Sequence, residues 1–287
     1  METAMKCPLC GLDADFYTSK NKYDLYKCGT CDFIFVYPPL TPEEANSVYS
    51  EEYFKKDKGG GFGYIDYDKD KEAMRDVFIS YLEEIERNTS RKEIFDIGTA
   101  TGYFLDLARG RGWKTYGIEV SAYAGKIAQE KGHKIAIGDL MSLEADKYPV
   151  VTLFDVLEHL SGPKDYILKV MAILEEGGII AVNTLDQSSW WARCLGKKWH
   201  AFVPPEHLNY FNKKNLMRFL EQHGFRILTV KKIGKKFTLG YIFKTLYEWQ
   251  GWRIWKKISE FFARPFWQKI YIPINLGDNI FIVARKQ

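Results

Sequence analysis

Residues 94–108 run from a short apolar strand, Ile94-Phe95, through Asp96-Ile97-Gly98-Thr99-Ala100-Thr101-Gly102, into the helical spacing of Phe104, Leu105, Leu107 and Ala108. A strand that passes through glycines directly into an amphipathic helix opens a parallel crossover, and that commits the chain to an α/β sheet. Gly98 and Gly102 let the backbone turn tightly and approach a ligand closely. Asp96 ends the strand, where its carboxylate can accept from an ammonium group. A second strand, Thr115-Tyr116-Gly117-Ile118, ends in Glu119, and a carboxylate there can take the two hydroxyls of a ribose. The Gly-x-Gly-x-x-Gly of an NAD site is absent. A turn without a ligand is the plainer alternative.

Three further strands follow in order. Ile135-Ala136-Ile137-Gly138 ends at Asp139, with Leu140 and Met141 after it. Val150-Val151-Thr152-Leu153-Phe154 has the nearly unbroken apolar run of a buried parallel strand and ends at Asp155-Val156-Leu157-Glu158-His159-Leu160. Pro163 starts a helix with Ile167, Leu168, Met171 and Leu174 on one face, and Gly177-Gly178 turns into Ile179-Ile180-Ala181-Val182-Asn183. This ordered set, over roughly residues 90–231 and 278–285, resembles the class I S-adenosylmethionine (SAM) dependent methyltransferases. Their first motif is Glu/Asp-x-Gly-x-Gly-x-Gly, with Ala100 here at the middle glycine.

The resemblance implies an α/β, Rossmann-like sheet of seven strands, the first five parallel and the last antiparallel. It implies SAM bound across Asp96, Gly98, Thr99, Gly102, Glu119, Asp139, Leu140 and Asp155. Asp139 would face the adenine amino group, and Leu140 and Met141 would pack on the ring. Asp-x-Leu-Glu-His-Leu resembles the motif of small-molecule methyltransferases, the quinone-biosynthesis O-methyltransferases included. The Asn/Asp-Pro-Pro-Tyr/Phe of enzymes that methylate exocyclic amines is absent.

Four of the five cysteines form Cys7-Pro8-Leu9-Cys10 and Cys28-Gly29-Thr30-Cys31, two C-x2-C pairs at zinc-ribbon spacing. Four thiolates close a tetrahedral site and leave no position for substrate, so the Zn2+ is expected to be structural and to fold the unit. Disulfides are the alternative. No signal peptide or spanning segment is read, which points to the cytoplasm and reduced thiols. A methyltransferase with such a front end resembles the bacterial sugar and small-molecule C- or O-methyltransferases of secondary-metabolite and polysaccharide pathways. Residues 1–40 balance Lys6, Lys20, Lys22 and Lys27 against Glu2, Asp13, Asp15, Asp24 and Asp32, poor chemistry for phosphate contacts. The net charge of the whole chain, +4, does not itself imply nucleic acid. Cys194 reads as a packing residue.

The organisation expected is a zinc ribbon over 1–40, a helical lid linker over 41–89, and a SAM-binding domain over 90–287. Thr41-Pro42-Glu43-Glu44 starts a helix, and the loop at 58–64, with Tyr53 and Tyr64, suits a lid. An oxygen or carbon acceptor needs a base, and histidine is the natural one. His207, with Glu206 to orient it, ranks before His159; His133 and His223 read as structural. Glu158 and His159, with Asp155, are an alternative divalent-ion set. Trp190, Trp191 and Trp199 read either as residues around the acceptor or as ordinary core packing.

Residues 234–276 are an aromatic helical insert with eight Lys or Arg against Glu248 and Glu260. A pocket cap, a homodimer contact and a membrane-surface element remain open readings of it. The chain is thus expected to methylate a small acceptor, a nucleotide sugar or lipid-linked glycan first and a quinone or prenylated phenol second. A non-catalytic, RNA-binding zinc module is the reading from another class.

Overall fold

The computed structural model of the protein describes residues 5–41, 44, 71–72, 74–144, 146–264, 266–267 and 270–287. The glycine loop at 58–64 and Tyr53 lie outside the described residues. Thr41 and Glu44 do form the reciprocal pair expected of a helix start: Thr41 N–H donates to the Glu44 carboxylate at 2.9 Å, and Glu44 N–H donates to Thr41 Oγ1 at 3.3 Å.

The cysteines are carried by β1 (Met5–Lys6), β2 (Asp13–Lys20), β3 (Tyr23–Cys28) and β4 (Ile34–Tyr37), joined as antiparallel neighbours. The central sheet begins with β5 (Glu93–Ile97), β6 (Lys114–Glu119), β7 (Lys134–Ile137), β8 (Tyr148–Phe154) and β9 (Leu174–Leu185), all parallel. A short β10 (Asn209–Tyr210) and then β11 (Phe225–Lys231) follow. After the insert strands β12 (Lys235–Thr238) and β13 (Tyr271–Ile274), the chain closes with β14 (Asn279–Lys286), antiparallel to both β9 and β11. The sheet order is β11-β14-β9-β8-β5-β6-β7, the Rossmann-like arrangement of seven strands.

Helices cover both faces of that sheet, which is why its central strands are predominantly apolar. On one face the helix Arg75–Asn88 buries Val77, Phe78, Tyr81, Leu82 and Ile85. Tyr81 stacks on Phe281 of β14 with ring centroids 4.4 Å apart. On the other face, Pro163–Ile173 buries Ile167, Val170 and Ile173.

The cysteine-bearing strands are continuous with this body. β4 pairs with β10, setting Phe35 opposite Asn209 and Ile34 opposite Tyr210, so the small sheet has five strands. Leu25, Ile34, Val36 and Leu40 share a buried cluster with Trp199, Phe202, Leu208 and Tyr210. Trp199 is therefore a core residue of this joint, fully buried, which decides for core packing over a place in the pocket wall. Cys194 is exposed, so its packing role is also corrected.

The insert is built differently. Its two helices, Leu239–Gln250 and Arg253–Phe262, form a hairpin above the β12–β13 ladder. Phe243 stacks on Trp255 and on Phe262, each at 5.6 Å between centroids. Among the residues of 232–278 whose side-chain exposure is described, none is buried.

Candidate active site

The carboxyl ends of β5, β6 and β8 converge on one cleft, the position at which open α/β sheets bind ligands. Asp96, Gly98, Thr99, Tyr103, Phe154 and Asp155 line it. Gly98 and Gly102 have φ of +75° and +81°. A Cβ on Gly98 would lie 2.8 Å from the Val156 side chain, so that position needs glycine both for φ and for space. Gly117 of β6 is tighter still: a Cβ there would sit 2.3 Å from the Thr99 methyl and 2.5 Å from the Asp96 carbonyl oxygen.

Asp96 is buried and accepts from Thr152 Oγ1 at 2.5 Å. Burial pushes its carboxyl up to about 7; the Thr152 hydroxyl opposes that shift and the nearby Glu119 adds to it. Glu119, also buried, accepts from Ala100 N–H at 2.7 Å and from Ser121 N–H at 2.9 Å. Burial raises its carboxyl too, against those N–H bonds. Two desolvated carboxylates at one cleft are costly unless a ligand supplies cationic or hydroxyl partners.

Ala100 stands at φ +47° and Asp155 at φ +55°, in the left-handed region that favours glycine. Asp155 is held there by Asn183, whose Nδ2 donates to its carboxylate at 2.6 Å and whose carbonyl accepts from its N–H at 2.9 Å. Neither Thr152 nor Asn183 was singled out from the sequence. Their signal was a polar residue inside an otherwise apolar strand.

Asp139 lies at the edge of the site. It is exposed, caps the turn at Leu140–Ser142 through Met141 N–H, and accepts from Tyr166 Oη at 2.7 Å. Leu140 is buried in the main core, whereas Met141 is 46% exposed.

His159 and His207 come together although 47 residues separate His159 from Glu206. Their ring centroids are 4.9 Å apart. His159 Nδ1 lies 2.7 Å from the carbonyl oxygen of Glu206, and His207 Nδ1 lies 2.9 Å from that of Ala201. A carbonyl can only accept, so each Nδ1 carries a proton and each ring is oriented by that bond. The segment bearing His207 is fixed by Leu208 N–H donating to the Glu158 carbonyl at 2.7 Å, and by Asn209 Nδ2 donating to the Leu160 carbonyl at 2.6 Å.

Glu158, His159 and His207 offer ligand atoms within 4.8 Å of one another, a set able to take a divalent cation. Its third member is His207, whereas the sequence reading had placed Asp155 with the pair. Glu158 is buried, accepts from Thr184 Oγ1 at 2.8 Å, and is pushed up to about 7 by burial. His133 is tied to Thr115 Oγ1 at 2.9 Å and to Asp106 at 3.1 Å beneath Gly102, and His223 to the Phe219 carbonyl.

The second cluster is the four-cysteine site. The Sγ pairs Cys7–Cys31, Cys10–Cys28 and Cys10–Cys31 are 3.7, 3.6 and 3.6 Å apart. None of the five cysteines is disulfide-bonded. Tetrahedral ligation with Zn–S bonds of about 2.3 Å requires sulfurs about 3.8 Å apart, so the donor set fits that ion. The Cys31 thiol is pushed up, chiefly by its hydrogen bond with Cys7 and then by burial.

Sheet order, glycine turn and carboxylate placement define a class I SAM-dependent methyltransferase domain. Solved structures agree on the fold. A SAM-dependent methyltransferase of Thermotoga maritima, described as a possible histamine N-methyltransferase, superposes with a TM-score of 0.52 at 17% identity over 77% of this chain and 94% of that one. Magnesium protoporphyrin IX methyltransferase of Synechocystis PCC 6803, with bound S-adenosylhomocysteine, gives 0.51 at 14% identity over 80% and 90%.

Residues 69–230, more than half of the chain, match the family model described as a methyltransferase domain, and the protein belongs to that family. It is an enzyme whose methyl donor is SAM. Among curated relatives, an uncharacterised protein of Methanocaldococcus jannaschii is 24% identical over 56% of this chain and 78% of its own length. The ubiquinone biosynthesis O-methyltransferase of Nitrosomonas europaea is 29% identical over 38% of this chain and 51% of its own. That of Burkholderia orbicola is 27% identical over 52% and 72%. The family match covers neither the cysteine-bearing strands nor the insert.

Proposed function

We propose that the protein methylates an oxygen of a small hydroxylated acceptor, with His207 and His159 on the acceptor side. The observation that carries this reading is the pair of imidazoles, ring centroids 4.9 Å apart, each oriented by a backbone carbonyl at Nδ1. Bound SAM supplies an electrophilic methyl group and needs mainly alignment from the protein. Asp96 faces the cationic end of the cofactor, Glu119 the ribose hydroxyls and Asp139 the adenine; Gly98, Thr99 and Gly102 carry the turn beside it, and Leu140 and Asp155 flank the site. His207 Nε2 takes the hydroxyl proton as the oxygen becomes nucleophilic, and His159 supports that role. Zn2+ at Cys7, Cys10, Cys28 and Cys31 is structural.

Relatives named as ubiquinone biosynthesis O-methyltransferases favour a phenolic hydroxyl. A sugar hydroxyl on a nucleotide or lipid carrier, which only the resemblance carried by the two C-x2-C pairs implies, is the second reading. Calorimetric titration with S-adenosylhomocysteine, followed by product release with panels of catechols, prenylated phenols and nucleotide sugars, tests it. One-site micromolar binding and turnover on a phenol support the proposal. Binding without turnover on any hydroxylated acceptor, but with turnover on an amine, overturns it.

A further inference from the structure

The insert carries +6, eight basic against two acidic residues, in a chain whose total is +4. Its second helix, Arg253–Phe262, separates three stripes at helical spacing. Trp255 and Phe262 turn inward and stack on Phe243. Arg253 and Lys257, one turn apart, share a second stripe, and Arg264 follows just past the end of the helix. Ile254, Ile258 and Phe261 form a third stripe between the other two, with Ile254 54% and Phe261 46% exposed. Trp252 and Phe266, at the two ends of the helix, are 60% and 71% exposed. The Arg264 guanidinium lies 4.9 Å over the Phe261 ring, placing charge directly beside an exposed aromatic.

Exposed apolar side chains gathered on one short element are unusual on a monomer, and these are edged with cations. An apolar edge with Trp and Phe, bordered by Lys and Arg, matches the boundary between lipid headgroups and acyl chains. The basic stripe matches the phosphates and the aromatic stripe the upper acyl region. Burial of a span is not on offer: no helix among the described residues is long and apolar enough to cross a membrane.

We propose that the helical hairpin Leu239–Phe262, with Phe266, docks on the surface of an anionic bilayer, lying in its interface. Lys and Arg draw it down, and Trp252, Ile254, Phe261 and Phe266 enter below the headgroups. Because the hairpin is joined to the body through β12 and β13, docking brings the methyltransferase body beside the bilayer. The proposal does not rest on the identity of the acceptor or on the role of His207.

Flotation of the full-length protein with phosphatidylcholine vesicles, with and without about a third phosphatidylglycerol, tests it, with tryptophan emission as second readout. The expected result is binding to the anionic vesicles that weakens as salt rises, with a blue-shifted emission. K256E/K257E and W252S/F266S should each lower the partition by an order of magnitude or more, since each basic residue near an anionic surface adds severalfold. These positions are exposed, so far-UV dichroism and S-adenosylhomocysteine binding should be unchanged and separate lost docking from lost folding. Failure of the wild-type protein to float with anionic vesicles overturns the proposal. Equal flotation of wild type and both variants overturns it too. So does a concentration-dependent dimer that forms without lipid and is lost in W252S/F266S, which would make the occupant a second copy.

Discussion

The two additions to the methyltransferase body, the cysteine-bearing strands and the C-terminal insert, are attached in opposite ways. The first shares a sheet with the segment that carries His207, through β4 and β10. It buries large side chains at the joint, with Phe33 5.0 Å from Phe211, and the Cys31 carbonyl accepts from Asn215 at 3.1 Å. The insert is held to itself: Phe243, Trp255 and Phe262 stack on one another, and none of its residues whose side-chain exposure is described is buried. The difference teaches where each can act. A unit whose edge strand pairs with the segment carrying His207 can act on that segment through geometry, whereas a hairpin with its own thin core is free to meet something outside the chain.

The widest contrast should come from removing each addition. C28S should cost several kcal/mol, because a structural zinc supplies folding free energy directly. It should also lower turnover by loosening β10 and His207. Excision of 235–274 should leave the melting temperature of the body within a few degrees. The ends of the excised piece are already adjacent, since Asn275 Nδ2 donates to the Lys232 carbonyl at 3.1 Å. Differential scanning calorimetry of both variants checks this, and a body that collapses without the insert would erase the contrast.

H207A comes next in size. A lost general base typically costs 10²–10⁴-fold in turnover, and S-adenosylhomocysteine affinity should stay within about threefold. An equal fall in cofactor affinity would move His207 from the acceptor side to the cofactor side. If C28S lowers turnover but leaves cofactor binding intact, as H207A should, the cysteine-bearing strands act through that loop.

A pH series examines the body that both additions share. Burial holds Asp96 and Glu158 up to about 7, above their unfolded values, so the folded state binds more protons between about pH 4 and 7. Stability of the ligand-free protein should therefore fall as pH rises through that window and level off above it. A cationic ligand against Asp96 stabilises its ionised form, so cofactor affinity should rise from pH 6 to 8 with proton release. Calorimetry in buffers of different ionisation enthalpy measures that release. D96N should abolish the pH dependence of binding, and a flat profile in the wild type would remove Asp96 from contact with the cofactor.

The smallest effect expected is a gain. Ala100 at φ +47° carries the strain of a Cβ in the left-handed region, so A100G should stabilise the protein by about 1 kcal/mol by relieving it. Chemical denaturation reads this out; a loss of stability would mean that the methyl packing around Ala100 outweighs the strain.

Much of this molecule was legible in its residues. Strand runs from Ile94 to Val182, the glycine turn and the two C-x2-C pairs are local patterns. A strand period, a positive φ and a thiol pair are each fixed within a few neighbours. They led to the sheet, the glycine turn and acids at the ends of its strands, and the cysteine cluster. The destiny of Trp199 was not local. An aromatic after strand β9 fits a pocket wall and a buried joint equally, and only the pairing of β4 with β10 made it core. The partners of the two histidines were likewise hidden. The Ala201 and Glu206 carbonyls that fix each Nδ1 are backbone atoms, which any residue types could have supplied. Sequence alone determined which elements form and which side chains carry chemistry, because those follow from short-range sterics and periodicity. Tertiary structure alone decided that His207 meets His159 and Glu158, because contacts across some 50 residues depend on how strands order themselves around a shared core.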